Sequence, residues 1–213
     1  MAVRRGHGES ALLLVGLLVL VGVLSRPKRR GASSSRPVIE WSDHEMRTFI
    51  EEVGPIGVPL DAALLVYTAE SGLDPKASSG IAWGIAQLTA PTLRDLGWNK
   101  PGRDFGKLSL LQQFPWVAKL LAYQARSIGF VPKNALDLYV ANFKPAAARN
   151  RDEILYREGT EAYRKNAPLD RAHKGYIDRN DLKTSLDQAR FSQTYQRAIA
   201  QLERLQRAQA SNQ

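Results

Sequence analysis

The 213-residue chain has no cysteine, which excludes a disulfide framework and any thiolate-held metal. Histidine is almost as scarce. His7, His44 and His173 lie far apart in polar surroundings, the pattern of solvated surface side chains rather than of a metal centre. Neither a catalytic metal nor a cofactor is expected. Also missing is any sustained apolar/polar alternation of period two, so the folded part is expected to be mainly α. Basic residues are plentiful, 30 against 21 acidic ones for a formal charge of +9, but they are not gathered into a stripe with interleaved aromatics. That argues against a nucleic-acid module, while the charge would still draw the chain to acidic lipid headgroups or wall carboxylates.

One apolar run is present. "ALLLVGLLVLVGVL", residues 11–24, is flanked by Arg4 and Arg5 before it and by Arg26, Lys28, Arg29 and Arg30 after it. Its 14 residues fall short of the roughly 20 that comfortably span a bilayer, so a signal-peptide core competes with a short anchor. The basic cluster after the run lacks the small-residue cleavage pattern and favours an uncleaved anchor. The same cluster would hold the C-terminal side in the cytoplasm, which opposes a domain directed at the cell wall. "GASSSRP", residues 31–37, reads as a tether. The division expected is a basic and hydrophobic segment at 1–30, a linker at 31–37, a folded domain at 38–165 and a C-terminal extension at 166–213 with a polar helix.

Within the domain, "SDHE" from Ser42 is a capping box, and Met46, Phe49, Ile50 and Val53 follow at helical spacing until "GPIG". "PLDAALLVYTAE", residues 59–70, is apolar on nearly every side, as a central buried helix would be, and Gly72 ends it. "PTLRDLG" reads as a short helix, and Ser109 with Gln112 opens a longer one running to about Gly129. "NALDLYVANF" and "AAARNRDEILYREG" read as helical in turn. The tail from Asp181 carries Leu182, Leu186, Ile199, Leu202 and Leu205 at helical intervals, a weakly amphipathic helix for packing on the domain or on a partner.

Glu70 is the anomaly in this pattern. A carboxylate in the last turn of an apolar helix is opposed by desolvation and by the negative end of the helix dipole, and both raise its pKa. A carboxyl kept neutral near pH 7 can donate a proton and then take one back, as general acid–base catalysis requires. The plainer alternative is a glutamate capping an exposed helix end.

The residues around it carry a resemblance. "ESGLDPKASSG" followed by "AWGIAQL" resembles the catalytic segment of the lytic transglycosylases of the goose-type lysozyme superfamily, where a Glu-Ser pair closes a buried helix and a Gly-x-x-Gln element follows. The likeness is close over residues 66–92 and extends loosely from about Trp41 to Arg149. It implies a lysozyme-like, goose-type fold, with Glu70 as the single catalytic acid and base and Ser71 and Gln87 as ligands of the glycan. Ser71 as a helix cap and Gln87 as a partner for a helix end are the plainer readings of those two. The family's later Tyr-Asn-Ala-Gly element is matched by "LYVANFKPA", which keeps Asn142 but has Ala141 at the tyrosine position and Lys144 at the glycine. Tyr139, three residues before Asn142 and on the same helix face, is the substitute hydroxyl, or else a core tyrosine. Trp83 and Trp98 flank the motif and stay outside the catalytic set.

"DRAHKGYIDRND", residues 170–181, has the length and central Gly175 of a calcium loop, but Ala172 and Lys174 stand where oxygen ligands are needed. No calcium is expected there. The resemblance implies a membrane-tethered enzyme that faces the peptidoglycan of the periplasm and cleaves the bond between N-acetylmuramic acid and N-acetylglucosamine, leaving 1,6-anhydro ends. Its partners would be glycan strands and the membrane. A phage opening the wall during infection, with the chain in the virion, and a bacterial envelope-spanning machine are both compatible settings. Two rivals stay open: a hydrolytic muramidase that recruits Asp95 or Asp104 as a second carboxylate, and a non-catalytic wall-binding protein.

Overall fold

The computed structural model describes residues 37–211, so the expected membrane segment and most of the expected linker lie outside the described residues. The capping box at Ser42 starts α1, Asp43–Val53, with the Ser42 and Glu45 side chains exchanging hydrogen bonds with each other's backbone N–H. Such a cap contributes about 1 kcal/mol. Its buried face, Met46, Phe49 and Val53, meets the rest of the core. Trp41, Phe49 and Phe114 form an aromatic triangle with ring centroids 5.3 to 5.5 Å apart.

Helix α2, Leu60–Ser71, runs through the centre. Every residue from Ala62 to Ser71 is buried, which accounts for a sequence with no polar face. It ends at Gly72 in the left-handed conformation, φ 69°, and Leu73 follows at φ 62°. A non-glycine residue there is strained. Leu73 is held by burial and by the Trp41 indole N–H, which donates to its carbonyl.

A two-residue hairpin, β1 at Ala82–Trp83 and β2 at Leu88–Thr89, folds the segment after α2 back on itself. Thr89 then caps α3, Ala90–Asp95, and α4, Gly102–Phe105, follows. Ser109 and Gln112 form the second capping box and open α5, Leu110–Ile128, which Gly129 ends at φ 85°. Next come α6, Ala135–Phe143, and α7, Pro145–Asn150.

The helix expected over "AAARNRDEILYREG" stops at Asn150. Arg151 turns left-handed at φ 58°, and Ile154–Arg157 becomes strand β3. After α8, Glu161–Asn166, β3 pairs antiparallel with β4, Tyr176–Asp178, through a bulge between Ile154 and Tyr156. The described chain is mainly helical as expected, but it holds two small hairpins that no alternation announced. Each has strands too short to show a period.

The single tail helix expected from Asp181 is two, α9 at Arg179–Arg190 and α10 at Gln193–Ala210, parted at Phe191 and restarted by the Ser192 cap. Both pack inward. α9 lies against α2 and α6, α10 lies against α2 and α1, and Leu182, Leu186, Leu202 and Leu205 join the same core as α2. No helix among the described residues is long and apolar enough to cross a membrane.

Candidate functional site

The end of α2 delivers Glu70 into the interior. Its side chain is 3% exposed, and neither carboxylate oxygen has a hydrogen-bond partner. Burial pushes its pKa well above the ordinary carboxylate value, because charging it there would forgo solvation with no compensating donor.

Two tyrosines share its surroundings. Tyr67 stands one turn earlier on α2, and Tyr139 comes from α6, which packs against α2. Burial raises both hydroxyls' pKa values, and the Glu70 charge adds to the rise. Both hydroxyls are buried without a partner. One turn beyond Tyr139, Asn142 accepts a hydrogen bond at Oδ1 from Gln124 Nε2 of α5, at 2.5 Å. The Asn142 amino group and the Gln124 carbonyl are left without partners.

These five residues account for all six buried side-chain atoms that lack a partner among the described residues. A folded protein satisfies the great majority of such atoms. Here the exceptions are linked: Tyr67 and Tyr139 through Glu70, Tyr139 to Asn142 along α6, and Asn142 to Gln124.

Ser71 and Gln87 sit elsewhere in the hydrogen-bond plan. The Ser71 hydroxyl lies 2.9 Å from the Tyr67 carbonyl and 2.8 Å from that of Ile85, so its one proton ties the end of α2 to the following hairpin. Gln87, at φ 45°, donates from Nε2 to the carbonyls of Gly84 and Ala77. Both organise the loop beside Glu70. Gln113 of α5 completes this frame, accepting from the Ile85 N–H and donating to the carbonyls of Pro75 and Leu108. Gly84, at φ 77°, is required because an added Cβ would collide with Gln113 Oε1 and stand 2.8 Å from Phe105.

A cavity of about 410 Å³ adjoins the same helix end, lined by Thr68, Ser71, Gly72, Ile39 and Thr194 among others; Glu70 is not in its lining. Trp98 packs edge-on against Phe105 and Trp116 at 5.5 and 5.3 Å, and Trp83 covers Gly102. Both tryptophans brace the loops.

The carboxylates nearest in interest lie elsewhere. Asp104 pairs with Lys107 at 2.6 Å, Asp95 is exposed, and Asp74 accepts from the Lys76 N–H within its own turn. Asp170, the second buried carboxylate, accepts from the Lys174 and Gly175 N–H groups and from the Tyr163 hydroxyl. In that calcium-like turn the Lys174 ammonium reaches Asp178 at 2.9 Å and both Asp181 oxygens at 3.0 and 3.2 Å, and it lies 4.7 Å from the centre of the Tyr176 ring. No cluster of three or more His, Asp or Glu placed to hold a metal occurs among the described residues.

Tyr67 and Gln124 were not singled out from the sequence. Tyr67 is detectable as the residue one turn before Glu70. Gln124 is detectable as the polar interruption of the stripe Val117, Leu120, Leu121 and Ile128. No protein-family profile, curated protein or solved structure matches the chain.

Proposed function

We propose that the protein is a peptidoglycan lytic transglycosylase with a goose-type, lysozyme-like domain. The observation that carries the reading is Glu70: a buried carboxyl without a partner, held neutral by its surroundings, and centred in a group of polar side chains that the protein itself does not satisfy. The resemblance over residues 66–92 gives that chemistry a substrate.

In this reading Glu70 donates its proton to the glycosidic oxygen as the bond to C1 of N-acetylmuramic acid breaks. The resulting carboxylate takes the proton of the muramic C6 hydroxyl, whose oxygen closes on C1 to form the 1,6-anhydro ring. The substrate's own acetamido group stabilises the charge developing at C1, so a second carboxylate is unnecessary. The pairing of Asp104 with Lys107 and the exposure of Asp95 favour this over a hydrolytic muramidase. Tyr139 and Tyr67 would hold the acid, and Asn142 would line the cleft. Ser71 and Gln87 would shape the loop, and any contact they make with glycan would use their remaining acceptors.

The setting belongs to the same proposal. Residues 11–24 would tether the enzyme to the membrane, with the domain facing the wall, in a virion that breaches the envelope or in a bacterial secretion or conjugation machine.

Purified peptidoglycan digested with the full chain in mild detergent tests it, with the released muropeptides weighed by mass spectrometry. Products lighter by one water, absent with Glu70→Gln, are expected. Reducing ends would replace the transglycosylase by a hydrolase, and wall binding without release would make the protein non-catalytic.

A further inference from the structure

Gln124 is assigned no role by the resemblance, and its pairing with Asn142 has a specific chemistry. The two primary amides come from different helices, α5 and α6, and are 5% and 3% exposed. They share one hydrogen bond, from Gln124 Nε2 to Asn142 Oδ1, which leaves the Gln124 carbonyl and the Asn142 amino group without partners.

This residue of bonding capacity does not depend on which way the amides are turned. Reversing both makes Asn142 the donor and leaves a Gln124 amino group and an Asn142 carbonyl. Reversing one alone sets like against like and breaks the pair. Either permitted arrangement leaves one buried donor and one buried acceptor on adjacent side chains.

The ligand group complementary to a free amide N–H beside a free amide C=O is another amide. Its carbonyl accepts the first and its own N–H satisfies the second. A site that holds such buried groups discriminates strongly against a ligand that leaves them unmet. Their place is also defined. Asn142 lies one turn from Tyr139 on α6, the helix packed against the α2 that carries Glu70.

We propose that Gln124, together with Asn142, receives the acetamido group of a glycan residue next to the cleaved bond, which makes Gln124 a specificity-determining residue for N-acetylated sugars. The assignment rests on the glycan-cleaving reading of Glu70. The ligand class follows from the amide pair.

The test is calorimetric titration of the full-length Glu70→Gln protein, in which binding is read without turnover. The probes are chitohexaose, which is N-acetylated at every residue, and cellohexaose, which has the same linkage and a hydroxyl in its place. Chitohexaose should bind at least about tenfold more tightly. Adding Gln124→Leu should lower its affinity to the cellohexaose level and leave cellohexaose unchanged. Leucine suits the apolar stripe on α5, and should it fail to fold, shown by loss of the cooperative melting transition, Gln124→Met serves instead.

An equal loss for both sugars would make Gln124 a part of the cleft wall rather than an acetamido ligand, and no change for either would leave the pair to internal water. Both results overturn the proposal. If the wild type releases anhydro-muropeptides while the Gln124 variant discriminates as before, this inference fails and the function stands. If neither sugar binds the folded protein, this inference falls, and anhydro-muropeptide release by the wild type decides separately whether the function falls with it.

Discussion

Replacing Glu70 by glutamine separates what burial does to this side chain from what the side chain does to a substrate. Below the ordinary carboxylate value of 4.5, Glu70 is protonated in the folded and the unfolded chain alike and adds no pH dependence. Above it, the unfolded chain releases the proton while the folded protein, whose Glu70 pKa is raised, keeps it. Each pH unit in that window therefore lowers wild-type stability by about 1.4 kcal/mol. Glutamine does not titrate, so the cost of burying its amide is constant across the range. Between pH 5.5 and 6.5 the melting temperature of Glu70→Gln should thus gain on the wild type by about 3–6 °C for a domain of this size. Differential scanning calorimetry of the two proteins in matched buffers measures the gap, and contributions from other groups cancel in the difference. A gap that stays flat over this window would mean that Glu70 is ionised in the folded protein. The acid role would then lose its physical basis, whatever the activity of the variant.

Two further substitutions probe the surroundings of that group. Tyr139→Phe removes a hydroxyl that has no partner and no exposure, so thermal unfolding should be unchanged or shifted upward by at most about 1 kcal/mol. Muropeptide release should fall at least about tenfold, the effect of losing one hydrogen bond of about 1.5 kcal/mol to the acid once it is charged, and unchanged release with an unchanged pH profile would make it a core tyrosine only. Gly84→Ala places a methyl against Gln113 and Phe105 at a left-handed backbone position, which should cost on the order of 2–4 kcal/mol in denaturant unfolding; a loss below 1 kcal/mol would show that the hairpin shifts to accommodate it.

Features written in adjacent residues were legible in the sequence. The capping boxes at Ser42 and Ser109 and the glycine stops at Gly72 and Gly129 operate within one or two helical turns, and the structure places them where the sequence does. Glu70 was legible for the same reason, as a charge at the end of an unbroken apolar helix. Strand β3 was not, since Ile154–Arg157 is extended only because Tyr176–Asp178 lies beside it, some twenty residues later in the chain. The division of the tail at Phe191 depends likewise on how α9 and α10 meet α2. The Gln124–Asn142 pair joins two helices through residues 18 apart in sequence. Neither amide alone distinguishes a buried ligand group from an ordinary polar residue.

The Lys174 ammonium held by Asp178 and Asp181 has a consequence for α9 and the helices it packs on, α2 and α6. An ion that arrives by diffusion occupies its site according to its concentration and can be competed away. A charge on a side chain tethered a few ångströms from its partners faces them at an effective concentration that dilution does not lower. The turn that launches α9 therefore carries its own cation, which a chelator cannot remove. Because α9 is packed on the two helices that carry Glu70 and Asn142, the cation that organises its first turn is part of the same covalent chain as the candidate site.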